Sequence, residues 1–354
     1  MPGEDVGPAA VMARRFAAQL LTGRPAGHAA DVVRRLLAVQ GQDPRGARLA
    51  IRVRSAGLTA ADVDRALTVD RSLLITWLNR GTLHLVAAED YWWLHPLTAP
   101  RSMAASSRRL AQEGVPPADA ERAVGVVEAA LADDGPLTRR QLGERIAAAG
   151  VRTQGQALVH ILFLASTRGI AVRGPMIGGE HAFVLVRDWL GAPPARFDWD
   201  QALAELARRY LIGHGPADDR DLAKWAGVPL NDARRGLAAI AGKLRERDDG
   251  LAGLAGRQSA VPPPRLLGPF DPLLHGWASR EPVLGSHQGI VTVNGLFRPF
   301  ALVNGTAAAI WRLSGGEVTL SPLIAMRPDD EAALHADAAD VRRFLGYADA
   351  GAGH

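Results

Sequence analysis

The sequence predicts an α+β fold, mainly α: three tandem winged-helix units, then a small C-terminal β-barrel-like domain and a terminal helix. Three observations carry this. An outline of helix, helix and β-hairpin recurs three times. A proline-rich stretch, "SAVPPPRLLGPFDP" (259–272), follows the third copy. Beyond it the apolar period changes from that of a helix to two.

The second copy is the clearest. "GPLTRRQLGERIAAAG" (135–150) reads as an amphipathic helix with Thr138 as N-cap and Gln141 three residues on, the pattern of a capping box. "QGQALVHILFLASTRG" (154–169) reads as a helix ending at Gly169, and "IAVRGPMIGGEHAFVLV" (170–186) as two strands around a Gly-rich turn. This is the outline of a winged helix, although an unrelated helical pair with a surface hairpin fits the same string. The first copy places helices on "LTAADVDRAL" (58–67) and "RSLLITWLNRG" (71–81), with "TLHLVAAED" (82–90) as a short wing. The third places them on "ADDRDLAKWAGV" (217–228) and "PLNDARRGLAAIAGKL" (229–244), with a polar wing through "RERDDG". In each copy the second helix suits a DNA major groove and the wing suits backbone or minor groove; winged helices also serve as protein–protein scaffolds.

After the linker, "GIVTVNGLFRPFALVNGTAAAIWRL" (289–313) reads as a β-meander. Its Asn294-Gly295 and Asn304-Gly305 dipeptides favour type I′ hairpin turns. "DDEAALHADAADVRRFLG" (329–346) closes the chain as a helix. The expected segments are 8–98, 118–192, 198–258, 264–328 and 329–346.

Composition excludes several classes. There is no cysteine, hence no disulfide, thiolate metal site or cysteine nucleophile. No apolar run approaches a membrane span. "MPGEDVGPAA" carries two acids and lacks the basic flank of a signal peptide, so the cytoplasm is the expected compartment. The net charge is +4, and all but two of the 41 basic residues are arginine, the exceptions being Lys224 and Lys243. A GC-rich genome accounts for that bias, yet arginine also binds phosphate bidentately and always keeps its charge. The ten histidines form no HExxH and no close ligand set with carboxylates, and no P-loop is present. No metal or other cofactor is expected. His84 is read as a packed residue rather than a ligand.

One stretch raises a chemical question. In "RRLLAVQGQDPRGARLAIRVRS" (34–55), Val33, Leu36, Leu37 and Gln40 share a face at helical spacing, so an apolar face ends in an amide. Pro44 biases Asp43 away from the α region, and the helix is expected to stop near Gln40. If Gln40 to Gln42 is extended, both side chains point the same way and two amides converge, each with an acceptor and a donor. The other reading has them capping backbone groups or facing water. Asp43 either supports this pair, caps the following segment or pairs with Arg45. Arg45, Arg48, Arg52 and Arg54 are candidate phosphate contacts, some of them simply solvated. Arg173 and His181, flanking the second wing, are candidates for the same role.

Gln-x-Gln after an early helix, "RGTLHLV" (80–86) and "LGPFDPLLHGW" (267–277) together resemble the winged-helix DNA glycosylases of the AlkZ and YcaQ type, over about residues 10–345. The resemblance implies excision of bulky N7-alkylated purines from double-stranded DNA, unhooking of interstrand crosslinks, and a role in repair or in self-resistance to a genotoxic natural product. It implies Gln40 and Gln42 as the catalytic pair, with Gly41 where the family carries an aliphatic or small residue. The chemistry is coherent. An N7-alkylguanine is already a good leaving group, so what remains is to hold a water at C1′ and to favour positive charge on the sugar. A lyase would need an amine. Both lysines fall in the third helical unit, so monofunctional hydrolysis by a monomer, with no membrane partner, is expected. The alternative is a non-catalytic winged-helix DNA-binding protein or transcriptional regulator.

Overall fold

A computed structural model of the chain describes residues 7–245, 249–254 and 260–347, about half of them helical. They form two compact units, one from the described parts of Met1–Val63 and Leu203–His354, the other from Asp64–Ala202.

The first unit opens with α1 (Pro8–Ala18), α2 (Ala29–Leu36), the extended pair β1 (Val39–Gln40) and α3 (Pro44–Arg52), and passes through α4 (Ala60–Thr68) to the second. The second unit holds β2 (Leu73–Leu78), β3 (Thr82–Ala87), α5 (Tyr91–Thr98), α6 (Met103–Gln112), α7 (Pro117–Asp134), α8 (Arg139–Ala148), α9 (Ala157–Thr167), β4 (Ala171–Ile177), β5 (Glu180–Leu185) and α10 (Val186–Leu190). The chain returns through α11 (Trp199–His214) to α12 (Asp219–Ala226), α13 (Leu230–Ala239), β6 (Arg265–Leu267), α14 (Glu281–Leu284), β7 (Phe300–Val303), β8 (Thr306–Ser314), β9 (Glu317–Pro322) and α15 (Pro328–Leu345).

In the second unit, helix, helix and hairpin follow in the expected order as α8, α9 and β4–β5. Thr138 accepts from the Gln141 amide, and Gln141 reaches back to the Thr138 amide, which closes the capping box. Leu142 and Ile146 of α8 pack with Ile161 of α9 and with Phe183 and Leu185 of β5 in one apolar core. The strands run β3-β2-β4-β5.

Residues 71–81 are not the expected helix. Leu73–Leu78 form β2, paired antiparallel with β3 from Leu73↔Ala87 to Leu78↔Thr82. All six residues of β2 are buried. A strand covered on both faces shows no alternation, so "LLITWL" reads equally as buried helix or buried strand by periodicity. Its Ile75, Thr76 and Trp77 favour the strand. The turn is made by Arg80 and Gly81, both at positive φ (58° and 73°). "TLHLV" is therefore a hairpin strand and does not follow a second helix as a wing. The helices of the third copy are present as α12 and α13, but the polar wing expected after them falls partly on residues 246–248, outside the described residues.

In the first unit a four-stranded antiparallel sheet runs β6-β7-β8-β9 in chain order. Asn304 and Gly305 both take positive φ (51° and 81°) between β7 and β8, as a type I′ turn requires. At the other dipeptide only Gly295 does, within a small loop bridged at Val291↔Phe297. Residues 265–267, at the end of the proline-rich stretch and the start of the expected β-domain, form β6. The Leu266 amide donates to the Asp337 carboxylate of α15 at 2.7 Å.

Candidate active site

α2 stops at Leu36, four residues before the expected end. Leu37 takes φ 65°, ψ −43°, a conformation that costs a non-glycine residue about 1–3 kcal/mol. The strain is held by packing: Val32, Val33, Leu36 and Leu37 are fully buried. A histidine holds the turn as well. The Leu36 carbonyl lies 3.2 Å from Nε2 of His214. Gln19 has its Oε1 occupied by Arg54, so its Nε2 donates to His214 Nδ1 and to the Pro272 carbonyl, and Nε2 of His214 is left as the donor to Leu36.

Beyond this turn the chain is extended, and Gln40 enters the interior from a strand rather than from a helix. It is 6% exposed, whereas Gln42 is exposed. Gln40 Nε2 donates to Gln42 Oε1, so the two amides do meet. Gln40 Oε1 is buried and has no hydrogen-bond partner among the described residues. A buried acceptor left unmatched costs about 1–3 kcal/mol. Gln42 Oε1 retains a second lone pair beside it.

Asp43 acts as a cap. Its Oδ1 accepts from the Gly46 amide at 2.6 Å, with Pro44 at the first helical position. Gly46 meets the Pro269 carbonyl so closely that a Cβ would collide with it, which seats α3 against the "LGPFDP" segment. Asp43 and Arg45 line an open cleft of about 750 Å³ together with Pro269, Arg298, Trp311 and Arg312. Arg298 and Arg312 escape sequence reasoning. The signal for Arg312 is strand alternation: Trp311 is buried and Arg312 exposed.

The four arginines after the motif separate. Arg45 is exposed on the cleft. Arg48 is largely buried, its Nη1 donating to the Pro44 carbonyl at 2.8 Å. Arg52 and Arg54 correct the expectation of phosphate contacts. Arg52, buried, pairs with Asp337 at 2.9 Å and Asp340 at 3.1 Å and donates to the Leu266 carbonyl. Arg54, at 0% exposure, pairs with Asp271 and donates to the Gln19 and Ala50 carbonyls. Arg45, Arg48 and Arg52 share one side of α3 at spacings of three and four, so their fates differ through what packs over each turn: the cleft at Arg45, and Asp337 with Asp340 at Arg52. Sequence reasoning assigned no role to Gln19, His214, Asp271 or Asp337; Asp271 lies inside the quoted "FDPLLHGW".

In the second unit Arg173 and His181 are both half-buried, on β4 and β5. His84 is buried on β3 with Nδ1 2.9 Å from the Thr82 carbonyl. Burial, with Arg80 adding to it, pushes its pKa down to about 3. It packs as a neutral ring. Among the described residues no group of three histidine or acidic side chains is placed to hold a metal ion, and no helix is long and apolar enough to cross a membrane.

A family model described as DNA glycosylase AlkZ-like matches residues 33–344; the chain belongs to that family and is a DNA glycosylase. Its relatives include the interstrand DNA cross-link repair glycosylase of Streptomyces sahachiroi, 28% identical over 366 aligned residues that cover 95% of this chain and 96% of that protein. The solved structure of the Streptomyces sahachiroi DNA glycosylase AlkZ matches with a TM-score of 0.76 at 26% identity, over 96% of each chain.

Proposed function

We propose that the chain is a monofunctional glycosylase for bulky, cationic N7-alkylpurine adducts in duplex DNA and that it unhooks interstrand crosslinks. The single observation behind this reading is the buried, unpartnered Oε1 of Gln40 held beside Oε1 of Gln42. Two amide oxygens accept hydrogen bonds from a water and turn their negative ends toward the sugar. As the N-glycosidic bond breaks, the purine keeps the bonding pair and leaves neutral. The water oxygen bonds C1′ and its proton passes to solvent. Positioning and preorganised dipoles together supply several kcal/mol. No strong acid is needed, which fits an aspartate committed to capping.

Arg45 and Arg48, with Arg298 and Arg312 on the same cleft as Arg45, are the proposed phosphate contacts near this pair. Asp43 supports it indirectly by fixing the start of α3. The helix–helix–hairpin at 139–185 is read as a winged helix, α12 and α13 as the helical part of another, and the C-terminal sheet as a curled, barrel-like domain. The enzyme is proposed to act as a monomer on nucleoid DNA in the cytoplasm, in repair or in self-resistance to a DNA-alkylating natural product. The test is incubation with duplexes carrying N7-methylguanine, a bulky N7 adduct or an N7-linked crosslink. Free modified base should appear, and strands should break only after alkali. Duplex binding without base release would leave a non-catalytic DNA-binding protein instead.

A further inference from the structure

Arg173 differs from three buried arginines of the first unit. Arg15, Arg52 and Arg54 each meet an aspartate: Asp221 at 3.1 Å, Asp337 at 2.9 Å and Asp271 at 2.7 Å. The Arg173 guanidinium lies 4.9 Å from the ring centres of both Trp77 and Phe183. Its Nε is sealed from solvent and has no hydrogen-bond partner, and no carboxylate among the described residues pairs with it. Burial, with the like charge of Arg139 adding to it, lowers its pKa to about 10. At neutral pH it remains a cation. Arg173 is half-buried and its charge has ring faces but no carboxylate beside it, so an anion from outside is favoured there.

We propose that Arg173 and Arg139 form a binding site for one phosphate group. The two rings hold the Arg173 guanidinium. Phe183, the cross-strand partner of Arg173, exchanges backbone hydrogen bonds with Leu137, and the exposed Arg139 stands two residues beyond Leu137, at the first position of α8, where the helix dipole also favours negative charge. A guanidinium fork matches two phosphate oxygens, and a second guanidinium shares the remaining charge. The expected occupant, a backbone phosphodiester of duplex DNA, rests on the glycosylase reading. Free phosphate has the same chemistry.

Two measurements on the full chain decide this. The first is thermal unfolding in inorganic phosphate against chloride at matched ionic strength. The second is the salt dependence of binding to an undamaged duplex. Phosphate should raise the melting temperature of the wild type, and Arg139→Gln and Arg173→Met should abolish that rise. Each variant should lower the slope of log K against log salt by about one. Loss of the phosphate effect with an unchanged duplex slope assigns the site to free phosphate; a lowered slope alone assigns it to the DNA backbone. Both variants keeping both behaviours would overturn the site. If Arg173→Met does not fold, Arg139→Gln at its exposed position decides alone. Base excision is scored separately, so failure of the glycosylase reading leaves the binding result standing.

Discussion

Arg54 Nη2 lies 2.7 Å from Asp271 Oδ1, and neither side chain is exposed. A second bond, Nη1 to Oδ2 at 2.9 Å, makes the pair bidentate, and Asp271 Oδ1 also accepts from the Leu273 amide. The pair ties the segment that carries the two glutamines to "FDPLLHGW", more than two hundred residues away. Asp271→Ala should cost about 3–5 kcal/mol, because it strands a buried guanidinium. Denaturant unfolding measures this. The double variant Arg54→Met, Asp271→Leu should recover much of the loss; if it is no better than the single variant, the charge itself is not what the single variant exposes.

Gln40→Ala and Gln42→Ala should each slow base excision at least about tenfold, or about 1.4 kcal/mol of transition-state stabilisation. Duplex affinity should hardly change, since neither amide is read as a phosphate contact. Single-turnover excision alongside equilibrium binding separates the two quantities. A double variant that excises at the wild-type rate would remove the amide mechanism.

Lys224 is engaged away from the amide pair, its Nζ donating to the Ala278 carbonyl at 2.8 Å. With no lysine in the glutamine segment, the reaction should pass through water and not through an imine. Borohydride present during turnover should trap no protein–DNA adduct, and the Lys224→Ala, Lys243→Ala variant should keep excising within a few-fold. A trapped complex that disappears in this variant would establish a lyase.

Acid should weaken the second unit through two buried rings. His84 is pushed down to about 3, and His95, buried with Nε2 3.0 Å from the Ser166 carbonyl, to about 4, chiefly by burial. Both titrate near 6.5 once unfolded. The unfolded chain therefore binds more protons between these values, and stability present above pH 6.5 is lost as the pH falls toward 4. The melting temperature of His95→Gln should fall less between pH 7 and pH 4 than that of the wild type. Equal slopes would mean that His95 already carries its proton in the fold.

Local chemistry was legible in the sequence. Thr138 and Gln141 form a capping box whatever surrounds them. Asn304-Gly305 turns a hairpin because those two residues tolerate positive φ. Asp43-Pro44 starts a helix with the aspartate as its cap, and Gln40 and Gln42, two residues apart, bring their amides together. Each of these interactions spans at most a few residues, so the determining atoms lie within the quoted string.

Burial and its partners were decided by tertiary structure. "LLITWL" is a strand because strands drawn from "TLHLVA" and from a segment about a hundred residues later pair with it on either side. α2 ends at Leu36 because packing, together with a histidine from α11, sustains a strained leucine. Of four arginines in one short run, Arg45 reaches the cleft while Arg52 and Arg54 end against Asp337 and Asp271. The physical reason is plainest in the arginines. An arginine on water and an arginine on a buried aspartate are the same residue in the chain, and the free energy that separates them comes from desolvation and from a counter-charge that only folding brings near.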